Sequence, residues 1–421
     1  MSETPGRPKR KNPVLRTRVP LLPPRGRSRV ALGLTAAAAL GRFELQVCPE
    51  CGTVQYPPRE ACHRCLSLDL VWQAQSGEGE LMSQTVLHHS HDLYFRDRMP
   101  WRLGMVRLDC GPTLLAHLHC GVAVAPCRVR IVARLDKAGQ AALIAVPGRS
   151  DIGEGAAEMA DDIHLREMTC DPKCRKVLVT DGKTALGQAL TRAFVAAGAD
   201  IVWAGCAEPW KRSPGLEEVE RLEAVTVVPL DVTNCDSVQS LGAVLGAKVD
   251  ILVNNAEVHR PDGIAARYGT EAARSEMDVN YLGLLRLAQE FGPIMRARGA
   301  DGYSSATAWV NLLSVYALSS FPSHGTYSAS KAAAYSLAQC LRAEMQSAGV
   351  RVVNVFPGPL DDEWNQELPP PKMSAQALAK AIVKGLQNGV EDLFPGEVAQ
   401  EWLARWLEDP KILERELAIN R

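Results

Sequence analysis

Tyr327 and Lys331 stand four residues apart in Gly-Thr-Tyr327-Ser-Ala-Ser-Lys331. One helical turn separates them, so both project from the same helix face. An ammonium beside a phenol favours the phenolate, which sets the expectation of a tyrosine with a lowered pKa. A hydroxyl that can donate to a carbonyl oxygen and release its proton near neutral pH is a general acid/base for carbonyl reduction or alcohol oxidation. A Tyr-x3-Lys pair alone is common in helices. It gains weight from Ser314, thirteen residues before the tyrosine, and from Asn280 in Asp-Val-Asn280-Tyr-Leu-Gly.

A second constellation carries metal chemistry. Cys48-Pro-Glu-Cys51 and Cys62-His-Arg-Cys65 are two CxxC pairs separated by ten residues. Each places two thiolates on a tight turn, and two such knuckles complete a tetrahedral S4 site. All four positions are then protein ligands, so the metal is structural. Zinc is expected rather than iron, because no redox partner domain is visible. His63 lies within the second knuckle and is expected at the surface, and His88, His89 and His91 read as a polar strand-to-loop junction.

The elements that position Tyr327 and its companions read as alternating strands and helices. Short apolar runs at 176–180, 200–204, 224–230, 249–253, 308–312 and 350–356 suit buried parallel strands. Helices are expected over 185–197, 235–246, 270–297 and 327–348. The fold class is therefore α/β, a Rossmann-type doubly wound parallel sheet, with ligands beyond the carboxyl ends of its strands. Thr180, Asn254, Ser314 and Pro357 all fall at such ends. Around and after the cysteines the pattern changes to short strands at 80–88, 102–109, 112–119, 127–135 and 141–147, which suggests a small all-β barrel.

Taken together, Asn280, Ser314, Tyr327, Lys331 and the βαβ pattern from Lys176 resemble the short-chain dehydrogenase/reductase family over residues 173–400. The resemblance implies roles. Tyr327 exchanges the hydroxyl proton and Ser314 holds the oxygen. Lys331 lowers the tyrosine pKa and binds the nicotinamide ribose, and Asn280 anchors a relay water. It also implies a cofactor, NAD or NADP, held by Thr180, Gly182, Leu186 and Gly187 in the first turn and by Asp231 and Val232 at the adenine. Asn255, Ala256, Tyr327, Lys331, Pro357 and Gly358 would complete that site.

The sequence departs from the family where the pyrophosphate should sit. The expected Thr-Gly-x3-Gly-x-Gly reads Thr180-Asp181-Gly182-Lys183-Thr184-Ala185-Leu186-Gly187, and Asn-Asn-Ala-Gly ends in Glu257. Those glycines let backbone approach the pyrophosphate, so weakened cofactor binding is expected. The choice between NAD and NADP stays open, because Gly205 and Cys206 occupy the informative positions and carry no charge.

The cysteine half, with Tyr56-Pro-Pro-Arg59 between the knuckles and Ser76-Gly-Glu-Gly after them, resembles an acyl-CoA-associated family that joins a zinc ribbon to an OB-fold barrel. The match covers residues 31–148. It implies a non-catalytic partner of thiolase-like or related acyl-CoA enzymes. Nucleic acid is disfavoured because the barrel segments lack a basic, aromatic stripe.

At 421 residues, net charge −1 and 46% hydrophobic content, the chain has room for two or three domains and suits a globular protein. Residues 1–30 carry nine Lys or Arg with many prolines and read as a disordered arm; 149–172 is a linker and 401–421 a helical tail. No signal-peptide core or eighteen-residue apolar run appears, so no membrane span is expected and cytoplasm is the default. The combined reading is a dehydrogenase interconverting a 3-hydroxyacyl-CoA and a 3-oxoacyl-CoA. It would be a homo-oligomer or heteromer through its dehydrogenase half and tethered to a docking domain. The alternative is a cofactor-impaired scaffold subunit.

Overall fold

The computed structural model describes residues 20–148, 159, 162–211, 213–266, 268–299 and 305–419. Three short antiparallel strands, β1 (Glu44–Val47), β2 (Val54–Gln55) and β3 (Val71–Ala74), form the ribbon in the order β2-β1-β3. They lead into β4 (Glu78–Leu87), β5 (Trp101–Leu108), β6 (Thr113–Leu118), β7 (Cys127–Leu135) and β8 (Ala141–Pro147). These close into a barrel in the order β4-β5-β6-β8-β7. Strict alternation along β7 sends Val129, Ile131, Ala133 and Leu135 inward, as period-two patterning requires. Gly104 of β5 is a packing requirement, since a Cβ there would lie 2.5 Å from Leu81.

The second half is a seven-stranded sheet of β9 (Lys176–Val179), β10 (Ile201–Cys206), β11 (Val225–Pro229), β12 (Ile251–Asn254), β13 (Ala308–Leu312), β14 (Arg351–Val355) and β15 (Asp392–Leu393). All neighbours run parallel in the order β11-β10-β9-β12-β13-β14-β15. Helices cover both faces, which is why the central strands are apolar without alternation. Leu190 and Phe194 of helix Ala185–Ala196 and Leu378 and Ile382 of helix Ala375–Asn388 pack on one face. Leu284, Leu287, Phe291 and Leu341 pack on the other. Strand order reverses between β9 and β12, and the crevice at that switch point opens beside Thr180 and Asn255.

Three features differ from the sequence expectation. The single helix expected over 270–297 is a helix (Glu271–Glu276), a π-helical segment (Met277–Gly283) and a second helix (Leu284–Arg298). Strand β15 and helices Pro214–Glu220 and Ala375–Asn388 were not anticipated. Helix Gly396–Glu408 runs through the boundary placed at 400, with Ala399 buried in the sheet's core. Of the basic arm, residues 1–19 lie outside the described residues, as do 149–158, 160 and 161 of the linker. Within the rest of the linker, Asp162, Leu165, Met168 and Cys170 are buried.

Candidate active site and metal centre

Tyr327 and Lys331 project from helix Gly325–Gln346, and both are almost completely buried. The Lys331 ammonium donates to the Leu312 carbonyl at 2.8 Å. Its second partner is Glu257, whose Oε2 lies 2.6 Å away. The same oxygen accepts the Tyr327 hydroxyl at 3.1 Å. A carboxylate thus stands between the two groups that the sequence reading paired directly. This reverses the expected electrostatics. Burial, then the Glu257 charge and its hydrogen bond, push the Tyr327 phenol well above its usual range. Burial pushes the Glu257 carboxyl up, but Lys331, His259 and the Tyr327 hydrogen bond outweigh it and hold the acid below its ordinary value.

Ser314 lies two residues beyond the end of β13, and its Oγ accepts from Tyr316 N at 3.2 Å, capping the turn Val315–Ala317. It shares with Leu186, Glu257, Tyr327, Pro357 and Gly358 a cavity of about 30 Å³, room for a water or two. Asn280 sits in the π-helical segment, a distortion frequent at functional sites. Its amide accepts from Val258 N and donates to Val258 O, both at 2.9 Å, and donates to Ser330 Oγ at 2.9 Å. In this structure Asn280 therefore fixes the loop that carries Glu257.

Sequence reasoning missed part of this wall. His259 stacks on Tyr327 with ring centroids 3.9 Å apart, and His324 lies 4.8 Å from His259. Burial depresses both imidazoles to about 4, so they are neutral at ordinary pH. Their Nε2 atoms, with Trp402 Nε1, are buried without a hydrogen-bond partner. The available signals were local: His259 is two residues beyond Glu257, and His324 is three before Tyr327, at the N-cap of the same helix.

The nucleotide end keeps its shape despite the lost glycines. Asp181 adopts a left-handed φ of 51°, which Asp tolerates better than most side chains. Gly182 N donates to Gly205 O at 2.8 Å, and a Cβ on Gly182 would sit 2.8 Å from the Ala204 methyl. A Cβ on Gly187 would collide with the Asp181 carbonyl. Thr180 Oγ1 accepts from Asn255 N at 2.9 Å and Ala256 N at 2.8 Å, tying the β9 and β12 turns together. Asp231 and Val232 follow β11, with Asp231 Oδ1 holding Thr233 at 2.7 Å. This half of the crevice suits the adenosine and pyrophosphate of a nicotinamide dinucleotide. Two acids oppose it. Burial raises the Asp181 carboxyl to about 6, with Lys183 pulling it down and Glu257 pushing it up, and Glu257 holds the nicotinamide side.

The four cysteines converge as expected. Their Sγ atoms all lie within 4.8 Å of one another, with Cys48–Cys65 and Cys51–Cys62 each at 3.5 Å. Zinc–thiolate bonds of about 2.3 Å in a tetrahedron require roughly 3.8 Å between sulfurs, so the set fits a closed S4 zinc site. The knuckles share one geometry: Gly52 and Leu66, each following the second cysteine, take φ values of 68° and 63°. His63 bonds Gln55 rather than pointing at the sulfurs. Among the described residues one other cluster of ligand type forms, His119, Cys120 and Asp162. Its atoms are engaged, since His119 Nδ1 accepts from Gly121 N and Asp162 accepts from Cys120 N.

Residues 175–372 match the family model described as short chain dehydrogenase. A 1-deoxy-11-beta-hydroxypentalenate dehydrogenase of Streptomyces exfoliatus is 31% identical over 238 residues, covering 54% of this chain and 84% of that protein. The chain belongs to the short-chain dehydrogenase family. A solved short chain dehydrogenase of Burkholderia cenocepacia in complex with NADP is 32% identical, covers 59% of this chain and 98% of its own, and superposes with a TM-score of 0.53. The NADP in that neighbour and the crevice at the switch point of this sheet agree on a nicotinamide cofactor. A Mycobacterium tuberculosis protein named "Probable oxidoreductase EphD" is 31% identical over 191 residues, 44% of this chain. The chain spans only 31% of that relative's length.

The other half matches two models of one kind, the ChsH2 rubredoxin-like zinc ribbon domain at 35–71 and the ChsH2 C-terminal OB-fold domain at 72–139. The protein is a fusion of a ribbon–barrel module with a short-chain dehydrogenase. No helix among the described residues is long and apolar enough to cross a membrane.

Proposed function

We propose that the chain is a nicotinamide-dependent oxidoreductase that interconverts a 3-hydroxyacyl-CoA and a 3-oxoacyl-CoA, with the ribbon and barrel docking a thiolase-like acyl-CoA enzyme. The observation that carries the redox half is the meeting of Ser314 and Tyr327 at one cavity beyond the carboxyl ends of a parallel sheet, with Lys331 held against the Glu257 carboxylate that lines the same cavity. In oxidation, Ser314 Oγ orients the substrate oxygen and Tyr327 Oη takes up its proton; reduction runs the same transfer backwards. Lys331 supplies the positive charge that makes this phenol acidic once Glu257 is elsewhere. A bound nicotinamide would accept or supply the electron pair at the carbon. Residues beside it would be Tyr327, Lys331, Pro357 and Gly358.

The acyl-CoA class and the thiolase-like partner are supported by the company of the two halves. A 3-oxoacyl thioester is what a thiolase cleaves, so a docked thiolase would receive the product. The dehydrogenase helices would also carry self-association or pairing with a paralogue. Turnover of a panel of 3-hydroxyacyl-CoAs with NAD and NADP tests the reading. Tyr327→Phe should lower kcat by ~10²–10⁴-fold with the fold intact. Activity that survives this change would remove Tyr327 from the chemistry.

A second reading, a scaffold subunit that does not turn over, is favoured by one observation: Glu257 fills the position between Tyr327 and Lys331. Co-purification of an acyl-CoA enzyme without turnover in any cofactor would select it.

A further inference from the structure

The donors of Tyr327 and Lys331 converge on one atom, Glu257 Oε2, at 3.1 and 2.6 Å. A buried phenol and a buried ammonium aimed at one point define a seat for one oxygen. In this structure the chain fills that seat itself. Little room is left beside it, because the adjoining cavity measures only about 30 Å³.

We propose that Glu257 is a tethered occupant of the ligand-oxygen seat, holding Tyr327 and Lys331 closed until a nicotinamide ribose displaces its carboxylate. This rests on the dinucleotide-binding reading above and concerns regulation of that site. The loop is anchored on both sides of Glu257. Asn255 N and Ala256 N are held by Thr180, and Val258 is clamped by Asn280 through both its N–H and its carbonyl. Opening therefore comes from rotation of the Glu257 side chain rather than from movement of the loop. A path exists, since that side chain is 29% exposed whereas Lys331 is 2% exposed.

The thermodynamic consequence is a reduced apparent affinity. A tethered competitor acts at roughly millimolar effective concentration or above. The observed Kd is the intrinsic value divided by the fraction of molecules in which the seat is open. If that fraction is about one tenth or less, removing the carboxylate tightens binding by about tenfold or more.

Binding of NADH and NADPH to the full zinc-loaded chain, followed by nicotinamide fluorescence, tests this without any turnover assay. The variants are Glu257→Gly, Glu257→Ala and Glu257→Gln, with circular dichroism and zinc content confirming the fold. Glycine and alanine should each tighten at least one cofactor by about tenfold or more. Glutamine, which keeps an acceptor for Tyr327 but not the charge for Lys331, should fall between them and wild type. Alanine matching glycine assigns the effect to the carboxylate rather than to backbone approach, whereas tightening by glycine alone overturns the proposal. Equal affinity across all four proteins overturns it too and leaves the oxidoreductase reading standing. No binding by any of them overturns both. If the two truncations misfold, glutamine decides alone: tightening of about threefold or more supports the seat, and no change removes it.

Discussion

At the scale of single residues, the site is governed by which charge faces the phenol. Lys331 beside Tyr327 would favour the phenolate, yet Glu257 lies within hydrogen-bond reach of both and the phenol is pushed well above its usual range. The expected outcome is that Tyr327 stays protonated through pH 10 in the wild-type chain and ionises at lower pH in Glu257→Gln. Tyrosinate absorbance, taken as the difference between each protein and its Tyr327→Phe counterpart, isolates this group from the other seven tyrosines. The sign follows from the causes. Replacing the carboxylate by an amide removes the negative charge that, after burial, does most to raise the phenol, and so lets the Lys331 ammonium weigh more heavily. An unchanged difference spectrum would mean that burial alone sets the ionisation and that Glu257 is an electrostatic bystander.

At the scale of elements, the turn after β9 shows how a lost glycine need not mean a lost conformation. Asp181 replaces a glycine but keeps the left-handed backbone at φ 51°, so what changes is charge rather than shape. Its carboxyl, raised from 3.8 to about 6 chiefly by burial, is disfavoured in its charged form by the fold. The stability it contributes is therefore full below about pH 4 and is lost as pH rises through about 6. Asp181→Asn, which tolerates the same φ, should gain on wild type by on the order of 1 kcal/mol between pH 4 and pH 7, after discounting for its partial exposure. Thermal melts at the two pH values measure this, and parallel pH profiles for the two proteins would contradict it. The same turn marks what the sequence could reveal. Runs such as Val177–Val179 and Ile251–Val253 are legible because a strand buried on both faces must be apolar throughout. The four cysteines are legible because their spacing is the ligand geometry. The π-helical turn at Met277–Gly283 has no compositional mark, since a shift to i→i+5 bonding changes no residue type. The Glu257–Lys331 pair was hidden because its partners lie 74 positions apart and meet only through the order of the sheet.

At the scale of the whole molecule, the two halves are joined by packing as well as by a linker. Arg351, at the start of β14 and 8% exposed, reaches from the dehydrogenase sheet into the barrel. Its Nη2 donates to Leu135 O at 2.8 Å and Asp136 O at 3.2 Å, and its Nη1 to Met168 O at 3.1 Å in the linker. Around it, Gln346 Nε2 donates to Ala138 O at 3.0 Å and Glu391 N to Ala39 O at 2.8 Å. A flexible tether would only raise local concentration, whereas this junction fixes how the barrel sits against the dehydrogenase sheet. Arg351 is where that rigidity is most exposed to test, because one guanidinium satisfies carbonyls from two other segments. Arg351→Ala removes the donor and leaves buried carbonyls unpaired, at a cost of ~2–4 kcal/mol. Arg351→Met keeps most of the volume and should recover the packing but not the hydrogen bonds, so a similar loss in both variants assigns the effect to the donors. Calorimetry of the full chain should then change in form as well as in midpoint. One cooperative transition in wild type should separate into two in Arg351→Ala, as the barrel and the sheet lose the interface that makes them melt together. Two transitions already present in wild type, or one undivided transition in both variants, would show that Arg351 does not couple the halves.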